Sequence, residues 1–297
     1  MEIGKSFDRG VGVEAREFLL TDEDFEQVRH LIHDRAGIAL TEGKRELVYS
    51  RLSRRLRATG ATSFGQYLKH LQSAETAEWE AFINALTTNL TSFFREAHHF
   101  DLLSQQLSSL AGRATPVTLW CSASSTGEEA YSMAITAVET LGLHPPVKII
   151  ATDIDTRVLA IAEQGIYAEE GIKLSAERLH RFFYKGAGKQ LGSVRVRPEV
   201  RSLIQFSPLN LLDRHWALPS ELDAIFCRNV MIYFDKETQY QILKKMAPRL
   251  RPEGLLYAGH SENFYHAREF FRLRGKTVYQ LTHPGSITHS QERGRSS

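Results

Sequence analysis

The sequence has little of what marks secreted, membrane-spanning or nucleic-acid-binding proteins. It holds two cysteines, Cys121 and Cys227, among 297 residues, too few for a disulfide framework or a zinc ribbon. No apolar run approaches the ~20 residues of a membrane span, and the N-terminus lacks the apolar core of a signal peptide. A net charge of +2 gives no electrostatic footprint for nucleic acid. We therefore expect a cytoplasmic globular protein whose cysteines are small buried thiols.

Two hydrophobic patterns divide the chain. From residue 19 to 88 apolar residues recur at helical spacing, which predicts a small all-α domain. Residues 89–115 are predicted to be a linker that also contributes to a ligand site. The two ends, residues 1–18 and 283–297, carry charge and glycine without periodicity, and we predict mobile tails there.

Short apolar strands alternate with helices from residue 116 to 282. This alternation predicts an α/β fold, with βαβ units and a mostly parallel, Rossmann-like sheet. The segment 271–281 has the pattern of two strands around a Gly-Lys turn and predicts an antiparallel C-terminal hairpin at one sheet edge. The other strands are predicted at residues 117–120, 147–152, 203–207, 222–227 and 255–258.

The turn after the first predicted strand is poor in glycine. In the run WCSASSTGEE, residues 120–129, Gly127 stands alone, so the G-x-G-x-x-G pattern that lets a pyrophosphate approach the backbone is absent. Glu128 and Glu129 would also repel phosphate. Each matches capping-box spacing, with Ser125 and Thr126 respectively, so spacing alone leaves open which one caps the helix.

An acidic residue ends the second predicted strand. Asp153 lies 26 residues beyond Gly127, where an acid in a βαβ unit typically accepts hydrogen bonds from ribose hydroxyls. Asp155 is better placed to cap the following helix. An adenosine-like ligand without pyrophosphate and with positive charge is therefore favoured, and S-adenosylmethionine fits this description.

A polar and aromatic run lies between the two regions. Asn89, Thr91 and Arg95 form no single helical face, and their position between the two domains leaves a role at a site open. The alternatives are that Phe93 and Phe94 only pack at an interface, and that Arg95 forms a structural ion pair.

Together these motifs resemble those of the CheR family of chemotaxis receptor methyltransferases, over about residues 20–282. The resemblance implies a class I methyltransferase fold that transfers a methyl group from S-adenosylmethionine to receptor glutamates. The products would be glutamyl methyl esters and S-adenosylhomocysteine, made without a metal by a cytoplasmic enzyme recruited to receptor arrays. Six segments carry it, in the family's order: Asn89–Arg95, Ser124–Glu129, Ala151–Asp155, Pro208–Leu211, Phe226–Asp235 and Gly259–Glu262.

The resemblance also assigns site residues. It places Arg95 and Tyr233 near the transferred methyl group, and it favours Glu128 over Glu129 as the ligand contact, leaving Glu129 as the helix cap. No general base is expected, because a glutamate with a pKa near ~4.3 is already a nucleophile at neutral pH. The implied cofactor contacts are Asn89, Thr91, Arg95, Glu128, Asp153, Asn210, Leu211, Arg228 and Asn229.

Two basic features are candidates for receptor binding. One is a stripe on the second helix, which is either a solvated face or a docking surface for an acidic receptor helix. The other is an inserted β-subdomain at about residues 186–207, with residues 193–197 as an edge strand. It is either a surface hairpin or, as the resemblance suggests, a site that captures a receptor C-terminal peptide by strand addition. The residues concerned are Lys44, Arg51, Arg54, Arg55, Gly186, Gly188, Arg195 and Arg197.

Two other functions are compatible with the residues alone. One is a methyltransferase of the same fold that acts on another substrate. The other is a non-catalytic S-adenosylmethionine sensor, against which Arg95 and Tyr233 argue because a sensor needs no groups beside the transferred methyl.

Overall fold

The computed structural model describes residues 16–74 and 76–283. The predicted mobile tails lie outside these residues, apart from 16–18 and 283. Within the described residues, four helices form the N-terminal domain. Thr21 and Asp24 form a capping box at the start of the first helix, because each side chain accepts from the other residue's backbone N–H. The helices are α1 (Asp22–Ala36), α2 (Arg45–Thr59), α3 (Phe64–Ser73) and α4 (Thr76–Leu86).

The segment predicted as a linker contains a fifth helix, α5 (His98–Ser109). Phe100, Leu103 and Leu107 are buried on one of its faces, at helical spacing. This periodicity is visible in the sequence, so the prediction of a linker missed a helix that spacing indicates. The helix packs against the α/β domain, so residues 89–115 belong to that domain's structure.

In the described part of the chain, ten strands form two sheets. The main sheet has the order β6-β2-β1-β7-β8-β10-β9, in which β10 runs antiparallel to its neighbours and completes the predicted C-terminal hairpin. The strands are β1 (Val117–Cys121), β2 (Val147–Asp153), β3 (Ile166–Ala168), β4 (Phe183–Lys185), β5 (Ser193–Val196), β6 (Ile204–Pro208), β7 (Leu222–Cys227), β8 (Leu250–Ala258), β9 (Phe271–Gly275) and β10 (Val278–Leu281).

Helices cover both faces of the main sheet. Alternate residues of β1 face opposite sides, so Leu119 joins one apolar cluster and Trp120 the other. Because both faces are buried, the central parallel strands β1, β2 and β7 are mostly apolar and buried rather than alternating with exposed polar residues. The covering helices are α6 (Glu128–Leu141), α7 (Thr156–Gln164), α8 (Ala176–Phe182), α9 (Pro198–Arg201) and α10 (Lys236–Met246).

The small sheet has the order β3-β5-β4 and is antiparallel. The expectation of an insertion at residues 186–207 is wrong at both ends, because the sheet begins at Ile166 and Ile204–Pro208 belongs to the main sheet. Residues 193–196 form its central strand, not an edge. The two flanking strands have only three residues each, too few to show alternation in the sequence.

Within residues 16–74 and 76–283, no helix is long and apolar enough to cross a bilayer.

Candidate active site

A cavity opens at the carboxyl ends of β1, β2 and β7, where the strand order reverses. Ligands bind at this point in open α/β sheets. The cavity is partly open to solvent, and both apolar and polar side chains line it, as in most small-molecule sites. Both domains line it: Ala36 and Ile38 come from the helical domain, and Asp153 and Arg228 from the sheet.

Asp153 lies at the end of β2 with its carboxylate fixed from two sides. Its Oδ2 accepts from the Ser125 backbone N–H at 2.8 Å, and its Oδ1 accepts from the Asp155 N–H at 3.0 Å. Burial raises the pKa of Asp153, and these backbone hydrogen bonds oppose the rise. The carboxylate is therefore oriented toward the cavity, where ribose hydroxyls would donate to it.

The single glycine of the turn serves helix packing. Gly127 has φ +98°, and a Cβ there would lie 2.8 Å from the Cβ of Ala162 in α7. A side chain at this position would push α6 and α7 apart. Gly127 is thus required by two packed helices rather than by a phosphate group.

Glu129, rather than Glu128, is the glutamate of this turn that lines the cavity. Glu129 lines the cavity, and Arg228 Nη1 donates to its Oε2 at 2.8 Å. Gly127 is the N-cap of α6 and receives no side-chain cap, so the expectation that Glu129 caps this helix is wrong. Glu128 lies outside the cavity lining, and its Oε2 accepts from Thr126 Oγ1 at 2.6 Å.

The ion pair of Glu129 and Arg228 is buried. Burial raises the pKa of Glu129, and the Arg228 guanidinium opposes that rise. The Cys121 thiol also donates to Glu129, at 3.2 Å. Burial raises the pKa of Cys121, so this residue stays a thiol, as expected for a small buried cysteine.

Asp155 fastens residues 87–91, here called the strap, to the sheet domain. Its Oδ2 accepts from Thr87 Oγ1 and from Asn89 Nδ2, both at 2.9 Å, while its Oδ1 caps α7. Burial favours the neutral acid, but hydrogen bonds from Arg157, Thr87 and Asn89 outweigh it and lower the pKa of Asp155. The predicted capping role of Asp155 is confirmed.

Arg95 and Tyr233 both line the cavity. Arg95 donates to the Leu90 carbonyl at 3.0 Å and has no ion pair within 4.0 Å among the described residues, so the alternative of a structural ion pair is not seen. The Tyr233 hydroxyl donates to the Thr88 carbonyl at 3.4 Å, and burial raises its pKa.

Phe93 and Phe94, the two phenylalanines before Arg95, pack against other side chains, as the alternative interpretation predicted. The Phe93 ring meets those of Tyr167 and Phe183 edge-on, with centroids 5.1 and 5.5 Å away. Phe94 lies under the guanidinium of Arg178, at 3.9 Å from its ring centroid.

The remaining predicted contacts also meet at the cavity. Thr91, Asn210, Leu211 and Asn229 line it together with the residues above. Asn210 joins the domains as well, because its Nδ2 donates to the Arg35 carbonyl at 2.7 Å. Of the predicted cofactor contacts, only Glu128 falls outside the lining.

Two arginines of the basic stripe on α2 bind other groups within the molecule. Arg51 donates to the Thr87 carbonyl at 2.5 Å, and Arg55 forms an ion pair with Glu78 at 2.6 Å. The expectation that these two arginines face a partner is therefore not supported. Lys44 and Arg54 are exposed and have no ion pair within 4.0 Å in the described part of the chain.

The residues predicted to capture a peptide have mixed environments. A Cβ on Gly186 would overlap the Gln190 carbonyl, and Gly188 has φ +58°, so both glycines are needed to form the turn. Arg195 is exposed. Arg197 lies 4.5 Å from the centroid of the Tyr184 ring.

Several cavity residues were not predicted. Ile38 and Ala36 reach the cavity only because α1 packs beside it, and no local pattern announces that contact. Ser125 was seen only as part of a capping box, whereas it has φ +49° and holds Asp153.

A mostly parallel sheet that ends in an antiparallel hairpin and carries an acid at the end of β2 places the protein among the class I methyltransferases. More particularly, the chain belongs to the CheR methyltransferase family. The family's SAM binding domain matches residues 89–280, and its all-alpha domain matches residues 23–87. The expected enzyme class and cofactor, S-adenosylmethionine, are confirmed by this membership.

Relatives align over most of the chain. It is 52% identical over 266 residues to a chemotaxis protein methyltransferase of Escherichia coli, covering 89% of this chain and 92% of that protein. It is 53% identical over 266 residues to chemotaxis protein methyltransferase 2 of Pseudomonas aeruginosa, covering 89% of this chain and 95% of that protein.

The cavity fits S-adenosylmethionine on its own chemistry. Asp153 and Glu129 supply carboxylates suited to hydroxyl and ammonium groups, and Arg95 supplies a cation suited to a carboxylate. Apolar side chains suited to a base lie beside them: Ile38, Ile154, Leu209, Leu211 and Phe234.

Proposed function

We propose that this enzyme methylates glutamate side chains of chemotaxis receptors, releasing glutamyl methyl esters and S-adenosylhomocysteine. One observation carries the proposal: Arg95, which has no ion pair among the described residues, lines the same cavity as the oriented carboxylate of Asp153. A site that holds a nucleoside and keeps a cation for a carboxylate suits methyl transfer to an acidic side chain. The names of the relatives support receptors as the substrate.

The site needs no base for this reaction. When bound, S-adenosylmethionine supplies an electrophilic methyl group on a sulfonium. A substrate glutamate is ionised at neutral pH and attacks directly. No histidine is present among the described residues that line the cavity, which agrees with a reaction that removes no proton.

What the chain supplies is alignment. Asp153 holds the ribose, Glu129 accepts from the ammonium of the cofactor, and Arg228 holds the Glu129 carboxylate in place by an ion pair. Arg95 orients the attacking carboxylate, and Tyr233 narrows the mouth beside it. Catalysis of this kind depends on placing the attacking oxygen ~3–3.5 Å from the methyl carbon.

Receptor docking involves the exposed members of the basic stripe. Lys44 and Arg54 are free to steer an acidic receptor helix toward the cavity. Arg51 acts instead through the strap, whose carbonyls it holds.

Peptide capture involves β4, one of the two edge strands of the small sheet. Strand β4 pairs with β5 on one side and has no strand on its other side among the described residues. A receptor C-terminal peptide would add there as a fourth strand.

Labelled S-adenosylmethionine and receptor-bearing membranes test the proposed function. The expected result is base-labile label on receptor glutamates. Label on a different residue type or on a small acid would instead support another substrate, and binding of the cofactor without turnover would support the sensor.

A further inference from the structure

The 259–262 segment, Gly-His-Ser-Glu, has no role in the function proposed above. Its last residue, Glu262, is buried, with 5% of its surface exposed. Its carboxylate accepts four backbone N–H groups: Oε1 from Val230 and Met231 at 3.0 and 2.8 Å, and Oε2 from Asn229 and Gly259 at 3.0 and 2.6 Å.

Three of these N–H groups belong to the loop that carries cavity residues. Arg228, Asn229 and Val230 all line the cavity. Asn229 has φ +57°, a left-handed conformation that few residues other than Gly adopt, Asn being among those that tolerate it. The carboxylate of Glu262 stabilises this conformation, because it accepts from the N–H groups of three successive residues of the loop.

The start of the segment accommodates the same loop. A Cβ on Gly259 would overlap the Asn229 side-chain amide and lie 2.9 Å from its backbone nitrogen. The next residue, His260, donates to Glu96, whose carboxylate lies 3.4 Å from Arg228. The segment therefore contacts the loop at Asn229. It also hydrogen-bonds with Glu96, which lies beside Arg228.

We propose that Glu262 is a positioning residue for cofactor binding, which acts by fixing the backbone of Asn229 and thereby the placement of Arg228 and Asn229 in the cavity. The inference rests on the proposed role of those two residues as cofactor contacts. It assigns Glu262 no contact with cofactor or substrate.

The test is Glu262→Gln, an isosteric change that replaces one acceptor oxygen with an NH₂ group. Two of the four backbone N–H groups then face a donor. Calorimetric titration of the purified full chain with S-adenosylhomocysteine, without receptor, should show a Kd raised about tenfold or more, as expected for losing buried charge-assisted hydrogen bonds. In turnover assays KM for S-adenosylmethionine should rise, while KM for receptor stays unchanged.

Asp223→Asn is the matched control. Asp223 is a buried carboxylate that accepts from the Thr118 N–H at 2.8 Å and from Arg113, and it lies outside the cavity lining. It should lower Tm without changing the Kd. If Glu262→Gln behaves in the same way, with a lower Tm and a Kd within about twofold of wild type, Glu262 is structural only and the proposal is wrong.

Gly259→Ala provides a second route if the glutamine variant does not fold. It keeps Glu262 but pushes on Asn229, so it should also raise the Kd, and an unchanged Kd would overturn the proposal. Failure of the proposed function has a different signature, namely wild-type enzyme that binds S-adenosylhomocysteine but does not methylate receptors.

Discussion

Arg228 Nη1 lies 2.8 Å from Glu129 Oε2 at the floor of the cofactor cavity, and both side chains are buried. This pair distinguishes Glu129 from its neighbour Glu128, which hydrogen-bonds only with Thr126 in the described structure. Breaking one partner of a buried pair leaves the other charge uncompensated, which typically costs ~3–5 kcal/mol.

Glu129→Gln should therefore weaken cofactor binding and lower stability together. We expect Kd for S-adenosylhomocysteine to rise at least about tenfold, with a reduced Tm. Glu128→Gln is the control and should leave Kd within about twofold. Calorimetry and thermal unfolding measure both. A larger loss of affinity in Glu128→Gln would restore the assignment made from the resemblance.

Arg95→Ala should reduce turnover without preventing folding. Its guanidinium makes one intramolecular hydrogen bond, to Leu90, so little stability depends on it. Losing the group that orients the attacking carboxylate should lower kcat about 100-fold, as misalignment does. Binding of a receptor C-terminal peptide should be unchanged. Turnover at the wild-type rate would remove Arg95 from the catalytic site.

Arg51 and Arg54 should give different kinetic phenotypes although they are three residues apart. Arg51→Ala frees the strap and should raise KM for S-adenosylmethionine. Arg54→Glu should raise KM for receptor, most strongly at low salt, because exposed charges are screened as ionic strength rises. Methylation assays across a salt series separate the two. The same salt-sensitive receptor effect for both variants would contradict the internal role of Arg51.

Stability should fall as the pH drops from about 6.5 toward 4. Burial, reinforced by Arg228, lowers the pKa of His99 to about 4. The unfolded chain then takes up a proton in this window that the native state does not, so the free energy of unfolding declines by up to roughly 3 kcal/mol. Chemical denaturation at several pH values should show a flatter slope for His99→Gln. The exposed control His144→Gln should keep the wild-type slope.

Lys185→Pro tests the free edge of β4. Hydrogen bonds from Gly186 N–H to Ser193 and from Arg197 N–H to Phe182 set the ladder between β4 and β5. In an antiparallel ladder this leaves the Lys185 N–H pointing outward. Proline removes that donor, so the Kd for a receptor C-terminal peptide should rise more than about tenfold. Lys185→Ala keeps the N–H and should bind normally; equal losses in both variants would implicate the side chain instead.

The place of a site residue could be predicted from the sequence where it depends on the strand or helix that carries it, and not where it depends on distant packing. Asp153 and Asp155 follow a buried strand, so their placement at a sheet edge follows from parallel-strand geometry. Whether Glu128 or Glu129 faces the cavity could not be predicted in this way. Adjacent helical residues differ in direction by 100°, and the conformation of Gly127 sets the direction of the first one. Arg51 likewise lies on a helix whose exposure depends on where α4 ends, a tertiary fact that no local spacing contains.

The position of Ile38 has a consequence for how the enzyme can be divided. Ile38 belongs to the helical domain yet lines the cavity beside Ile154, and the Ala39 N–H donates to the Tyr233 carbonyl at 2.8 Å. The domain that would meet the receptor is thus also a wall of the chamber that holds the methyl donor. The helical domain could therefore not be replaced without also rebuilding part of the methyl-donor site.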